Sequence, residues 1–165
     1  MKSALIILIL FISFINIVSA QNDTTNGNVR FGIDGTIGFP TGTYSKVEAM
    51  AYDFGLHVEF PASKNIYITL NSSYISFTGK NGMKIVGGMV PVLFGGKFLF
   101  SKKLFGQVEF GPAFITESNN GNAWAYSPSI GYNVSKHFDL SFKYLVATKN
   151  NINESSLGLK LGITL

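Results

Sequence analysis

The stretch from Val29 to Phe39 reads VRFGIDGTIGF, and its apolar residues recur at every second position. One parity carries Val, Phe, Ile, Gly, Ile and Phe, while the other carries Arg, Gly, Asp, Thr and Gly. An alternation of period two is typical of a β-strand that has one apolar and one polar face. This stretch therefore predicts a strand, and the rest of the chain repeats its pattern.

The alternation returns in seven further segments, and we identify no helical period after the first twenty residues. The predicted strands are 29–39, 52–60, 66–74, 90–100, 104–116, 124–134, 138–146 and 156–165. The connections between them alternate in length. The long ones are 40–51, 75–89, 117–122 and 147–154, and the short ones are 61–65, 101–103 and 135–137. Because barrels in outer membranes have short turns at one rim and longer loops at the other, the pattern predicts an all-β fold: a single eight-stranded, antiparallel, up-and-down transmembrane β-barrel.

The composition excludes several classes of protein. Of 165 residues, 46% are hydrophobic and 13% are charged, so the chain is too apolar to be disordered. With no cysteine, a disulfide scaffold, a thiolate metal site and a cysteine nucleophile are excluded. The net charge of +4 is too small and too dispersed for a nucleic-acid interface. We identify no spacing that indicates a metal site or a cofactor.

The first twenty residues predict a cleaved signal peptide. Met1 and Lys2 form a positive start, an apolar stretch runs over 4–18, and Val18-Ser19-Ala20 supplies small residues before a cleavage site. An uncleaved anchor is the alternative, because about 20 apolar residues can span a membrane. We therefore divide the chain into a signal peptide at 1–20, a flexible polar tether at 21–28 and a barrel domain at 29–165.

All charged residues of the predicted strands lie on the polar parity. They are Arg30, Asp34, Asp53, Glu59, Lys97, Glu109, Asp139, Lys143 and Lys160. An apolar face toward lipid and a polar interior account for this distribution. Eight strands leave an interior just wide enough for side chains to fill, so we expect a lumen salt-bridge network and no open pore. The alternative is a soluble, lipocalin-like barrel, whose apolar parity faces inward around a hydrophobic ligand.

Symmetry about the connections predicts which of these charges meet. Lys97 and Glu109 are equidistant from residue 103, and Arg30 and Glu59 are symmetric about the first long loop. Asp34 is expected to meet Lys160 where the first and last strands close the barrel. Opposite charges on neighbouring strands stabilise a sheet.

The segments Gly88 to Phe100 and Gln107 to Phe114 resemble a small outer-membrane β-barrel family common in Bacteroidetes, sometimes described as PorT-like. The resemblance is carried by Val-Pro followed by apolar residues, Lys and aromatics, and then by Gly-Pro in the next strand, and it covers about residues 29–165. It implies export through a cleaved signal, insertion by the barrel assembly machinery and residence among outer-membrane lipids, with no assigned chemistry. Such barrels often end on an aromatic residue, whereas this sequence ends at Leu165.

The sequence thus predicts a monomeric outer-membrane protein with a structural role or a role in loop-mediated interactions. Segments 40–51, 78–84, 117–122 and 147–154 are expected to supply the contact surface, because function on rigid scaffolds is concentrated in loops. The enzyme alternative is a lipid A hydrolase or acyltransferase, which needs a serine, a histidine and an acid near the outer rim. His137 lies in a short turn, and His57 shares its parity with Asp53 and Glu59 but has no serine placed beside it. We therefore predict no enzymatic activity.

Overall fold

The computed structural model describes residues 28–80, 88–116, 121–150 and 152–165. The predicted signal peptide, residues 21–27 of the predicted tether and parts of the second and third long loops lie outside these ranges. Among the described residues, no helix combines the length and the apolar character needed to cross a membrane.

The described residues form a closed, fully antiparallel barrel in which each strand pairs with its neighbours in the sequence. The strands are β1 (Arg30–Pro40), β2 (Glu48–Ser63), β3 (Ile66–Gly79), β4 (Gly88–Leu99), β5 (Leu104–Ile115), β6 (Asn122–Asn133), β7 (Phe138–Lys149) and β8 (Ile152–Thr164). Pairing of β1 with β8, from Gly32–Thr164 to Pro40–Ser156, closes the sheet. The predicted fold class and all eight predicted strands are confirmed.

The apolar parity faces outward. In β7, Phe142 is 63% exposed, whereas its neighbours Ser141 and Lys143 are 1% and 5% exposed. The same alternation holds in β1, where Ile37 is exposed and Asp34 is buried. The lipocalin-like alternative requires the opposite orientation of the two faces, and it is therefore wrong.

The connections have two lengths, as predicted, but the strands reach further. The short-turn rim carries the turns around residues 64–65, 101–103 and 134–137, and the loop rim carries the other connections. The prediction of a loop at 147–154 is wrong, because Lys149 pairs with Ile152 and only two residues separate β7 from β8. Asn150 has a φ of 48°, a left-handed conformation that asparagine tolerates in tight turns.

The first long connection shortens from the predicted 40–51 to 41–47 and folds against the wall. The backbone N–H groups of Thr41 and Gly42 donate to the carbonyl of Ser155, at 2.7 and 3.3 Å. A 3-10 turn follows at Thr43–Lys46. From the end of β3, the Lys80 ammonium donates to the carbonyl of Ser45 at 2.7 Å. Contacts to two different strands therefore hold this connection at the loop rim.

Glycines on the inward face lie directly across from large inward side chains. The cross-strand pairs are Gly32 with His57, Gly95 with Glu109, Gly131 with Phe105, Gly158 with Lys143 and Gly162 with Asp139. A Cβ atom at Gly131 would overlap the ring of Phe105 and would lie 2.6 Å from the Cβ of Ser141. At these five pairs, the narrow interior accommodates a large side chain by leaving its cross-strand partner without one.

We expect Gly131→Val to destabilise the barrel and Gly35→Val to leave its stability unchanged or increase it. Overpacking a filled interior costs about 1–3 kcal/mol. Gly35 is the matched control, because it lies on the outward face and a Cβ there has nothing within 4 Å. Thermal unfolding of the purified proteins in detergent, followed by circular dichroism, measures both effects. Equal melting temperatures for Gly131→Val and the parent would contradict the packing described here.

Candidate functional site

The interior is the candidate site, and it has two sections of different chemistry. The charged section comprises Asp34, Asp53, His57, Glu59, Lys97, Glu109, Asp139, Lys143 and Lys160. The apolar section, toward the loop rim, comprises Ala51, Ile75, Phe77, Met89, Leu93, Ala113, Ala123, Ala125, Leu145 and Ala147, none of them more than 5% exposed.

Lys97 and Glu59 form the shortest ion pair given by the structure for the charged section. The Nζ atom of Lys97 donates to Oε1 of Glu59 at 2.7 Å, and both side chains are buried. The same ammonium lies 4.2 Å from the centroid of the Phe105 ring, within range of a cation–π contact. On the other side of the carboxylate, the half-exposed Arg30 approaches Glu59 to 3.8 Å. Glu59 therefore has two cationic neighbours.

Asp34 is the second centre of the network, with three neighbours from three other strands. The side-chain amide of Asn71 donates to Oδ2 of Asp34 at 2.9 Å. His57 Nδ1 lies 3.1 Å from Oδ1, and Lys160 Nζ lies 3.5 Å from the same atom. Buried charge is costly unless it is paired, and these contacts provide the pairing.

The remaining charges are placed deep in the interior as well. Lys143 on β7 donates to Asp53 on β2 at 2.9 Å, so this contact joins strands that are not adjacent in the sheet. Glu109 accepts a hydrogen bond from the hydroxyl of Thr69 at 2.9 Å. Asp139 is 5% exposed and lies across from Gly162. Of the nine predicted residues, Arg30 alone has an exposed side chain, and it lies at the short-turn rim.

Two of the three predicted charge pairs lie close together in the observed register. Arg30 lies directly opposite Glu59. Asp34 and Lys160 are in contact, but diagonally, because the cross-strand partner of Lys160 is Thr36 and that of Asp34 is Gly162.

The prediction that Lys97 meets Glu109 is wrong. The turn between β4 and β5 is centred on residue 102, one residue earlier than expected, because the N–H of Phe100 donates to the carbonyl of Leu104. Lys97 consequently lies opposite Gln107, and Gly95 lies opposite Glu109. The shift keeps both charges on the inward face but gives each a different partner.

His57 lies between an acid and a hydroxyl. Its Nε2 is 3.3 Å from the hydroxyl oxygen of Thr164, and its Nδ1 faces Asp34. Acid, imidazole and hydroxyl in this order occur in nucleophilic catalysis. Here all three side chains are at most 7% exposed, and Thr164 lies at the short-turn end of β8. The cluster therefore has the geometry of interior packing rather than of an accessible site.

Thr164, Thr69 and Asn71 were not singled out by the sequence pattern. Their positions on the polar parity were the available signal, since uncharged polar groups complete the hydrogen bonding of buried charges.

The apolar section was also not indicated by the sequence pattern. Ile75, Phe77 and Met89 fell within the predicted loop 75–89, whereas the structure extends β3 and β4 through them. At the boundary with the charged section, a void near Asp53 and Lys143 has a volume of about 10 Å³, enough for one water molecule at most. Side chains thus fill the interior from the charged section through the apolar section.

Comparisons with known proteins give matches at the level of structure. No protein-family model matches the chain, and neither does any curated protein sequence. The outer membrane protein Ail of Yersinia pestis superposes with a TM-score of 0.56 at 13% identity, over 84% of this chain and 100% of that one. The outer membrane enzyme PagL gives a TM-score of 0.54 at 13% identity, over 81% and 99% of the two chains. A de novo designed transmembrane β-barrel gives 0.53 at 15% identity, over 82% and 95%. The chain therefore has the fold of small outer-membrane β-barrels.

We expect a double-mutant cycle to show strong coupling between Lys97 and Glu59. Lys97→Met alone should destabilise the barrel by about 3–5 kcal/mol, because it leaves a buried carboxylate without its closest cation. Adding Glu59→Gln should recover much of that loss. Thermal unfolding in detergent measures each variant.

Lys97 with Asp53 is the control cycle, because Asp53 is paired with Lys143 and lies six residues from Glu59 along β2, roughly 20 Å at about 3.3 Å per residue. The effects of Lys97→Met and Asp53→Asn should add within about 0.5 kcal/mol, as for distant residues without a shared partner. Coupling in the control cycle, together with additivity in the Lys97–Glu59 cycle, would contradict the observed pairing of the charges.

Proposed function

We propose that the protein resides in the outer membrane as a non-conducting barrel and that its loop rim makes contacts outside the cell. The observation that carries this proposal is the distribution of side chains across the sheet. Large apolar residues are exposed around the outward face, including Phe54, Phe110, Ile130 and Phe142, while the charges of the strands face inward. Exposing such a face to water would be unfavourable, and a lipid environment removes that cost.

The closed interior supports a role other than transport. The charged section is cross-linked by ion pairs, and the apolar section places ten nonpolar side chains toward the loop rim, next to a few buried polar residues such as Glu48 and Ser155. An ion entering the apolar section would lose most of its hydration shell and gain few polar contacts. We therefore assign no conducting function to the lumen.

The loop rim supplies the surface in this proposal. The described part of the 40–51 connection is held by Ser155 and Lys80, so it can present a defined shape without ordering on binding. Trp124 lies near the same rim and is 68% exposed. Ail is described as an attachment invasion locus protein, which shows that a barrel of this fold is compatible with a surface role. The fold alone does not assign a function.

An enzymatic role is the weaker candidate. PagL shows that this fold can carry an enzyme. In the present chain, however, His57 is enclosed with Asp34 and Thr164, and His137 lies in a short turn where its Nδ1 is 2.8 Å from the carbonyl of Thr164. Both histidines are therefore placed away from the loop rim, where chemistry on the outer leaflet would take place. The proposal also includes export through the predicted signal peptide and membership of the Bacteroidetes family that residues 88–100 and 107–114 resemble.

We expect the full chain, expressed in a Gram-negative host, to be recovered in the outer-membrane fraction and to change its gel mobility on boiling. In planar lipid bilayers, the purified barrel should give no stepwise conductance, whereas a porin examined in parallel should. Recovery in the soluble periplasm without a mobility shift would overturn the membrane assignment. Reproducible channel steps would overturn the non-conducting role.

A further inference from the structure

The exposed side-chain charges at the short-turn rim are all positive. Lys64, Lys102, Lys103 and Lys136 lie in the three short turns, and each is exposed. The acidic residues of the described ranges lie elsewhere. Asp34, Glu59, Glu109 and Asp139 are buried in the interior, the side chain of Asp53 is 8% exposed there, and Glu48 and Glu154 lie toward the loop rim. The four lysines, which we call the lysine rim, thus face the surroundings without a neighbouring exposed acidic side chain among the described residues.

Two of the three turns are held in shape by a serine that precedes the lysine. The Ser101 hydroxyl accepts the N–H groups of Lys103 and Leu104, at 3.2 and 3.0 Å. The Ser135 hydroxyl accepts those of His137 and Phe138, both at 3.1 Å. The turns therefore cannot extend far from the barrel, and their lysines stay close to its edge.

The lysine rim lies next to the outward apolar face. Phe100 and Leu104 flank the second turn, and Val134 and Phe138 flank the third, all exposed. Each lysine of these turns is one or two residues along the chain from such an apolar residue. At about 3.3 Å per residue, its Cα atom therefore lies within about 7 Å of the last outward apolar residue. A headgroup layer is about 5–7 Å deep on each side of the hydrocarbon core. In a bilayer, the lysine ammonium groups therefore lie at the depth of the phosphates.

One contact shows the direction in which a lysine of this rim extends. The Nζ atom of Lys103 lies 5.6 Å from the centroid of the Tyr132 ring, and this ring is on the outward face of β6. The ammonium thus lies over the outer wall of the barrel, where it can meet a lipid headgroup, and not over the mouth of the lumen.

The loop rim is different, because its charges are of mixed sign. Lys46, Lys80 and Lys149 lie there together with Glu48 and Glu154, and Lys80 is engaged with the carbonyl of Ser45. The attraction for anions is therefore expected to be strongest at the short-turn rim.

We propose that the lysine rim binds the headgroups of anionic phospholipids, such as phosphatidylglycerol, in the adjacent leaflet. This inference rests on the proposed membrane location. The lysines supply positive charge at phosphate depth, and the apolar residues beside them contact the acyl chains. Each lysine near an anionic surface contributes about as much as a fivefold change in affinity.

Spin-labelled lipids test the inference in the folded barrel. The protein is reconstituted in phosphatidylcholine bilayers, and the motionally restricted fraction is compared for labelled phosphatidylglycerol and labelled phosphatidylcholine. We expect roughly fivefold selectivity for phosphatidylglycerol at low salt, reduced toward unity at 1 M NaCl because salt screens exposed charges. The variant with Lys64, Lys102, Lys103 and Lys136 all changed to Gln should lose this selectivity.

The control variant carries Lys46→Gln, Lys80→Gln and Lys149→Gln at the loop rim and should keep most of the selectivity. Selectivity that survives the four short-turn changes, or that disappears in the control variant, would overturn the inference. The inference would also be overturned by a parent barrel that shows no lipid selectivity but sediments with peptidoglycan, if changing the same four lysines to Gln abolishes that sedimentation. Insertion is measured separately, by the boiling-dependent mobility shift of the parent barrel in pure phosphatidylcholine bilayers. If the parent does not insert into these bilayers, the proposed membrane location fails. If it inserts but shows no lipid selectivity, only the lipid inference is contradicted.

Discussion

A closed sheet of eight strands encloses a space that side chains alone can fill, and this chain turns nearly every charged side chain of its strands into that space. Each such charge then needs a partner within a few ångströms, because little water is available to solvate it. Lys97 with Glu59 and Lys143 with Asp53 meet this requirement with contacts between strands that are not adjacent in the sheet. Asp34 contacts Asn71 on the non-adjacent β3 and Lys160 on its neighbour β8. The contacts between non-adjacent strands connect parts of the wall that share no ladder hydrogen bonds, so the charged section cross-links the barrel that it fills.

The alternation of apolar and polar residues was sufficient to predict the fold. The pattern from Val29 to Phe39 assigned the correct residues to each face, and the same rule worked in β7, where Phe142 faces out and Lys143 faces in. Side-chain direction in a strand has a period of two, and an apolar exterior requires the whole strand to obey it. The faces of the strands, and with them the inward position of eight of the nine predicted charges, were therefore predictable from the sequence.

The partners of those charges were less predictable, because partner choice depends on where each turn is centred. A displacement of one residue in the centre of the β4–β5 turn changes the partner of Lys97 from the expected Glu109 to Gln107 across the ladder. The sequence pattern also did not predict how far the strands extend toward the loop rim. Polar residues at 147–154 look like a loop in the sequence, yet Asn150 allows a tight turn there. Contacts across the lumen, such as Lys97 with Glu59, depend on barrel closure, which local patterns do not encode.

Pairing several large inward side chains with glycines also selects among competing alignments of the strands. If β5 slipped by two residues against β4, Lys97 would face Glu109, an electrostatically attractive alignment that keeps every side chain on its proper face. The slipped alignment would also place Gly95 opposite Gly111, and two glycines facing each other would leave a cavity on the inward face. In the observed alignment, Glu109 lies across from Gly95 and Leu93 packs against Gly111, so the space beside each glycine is filled. Steric complementarity thus opposes the misaligned isomer that charge attraction alone would favour. The positions of the glycines therefore help to select the correct strand register during assembly, because each one leaves space for a large side chain only in that register.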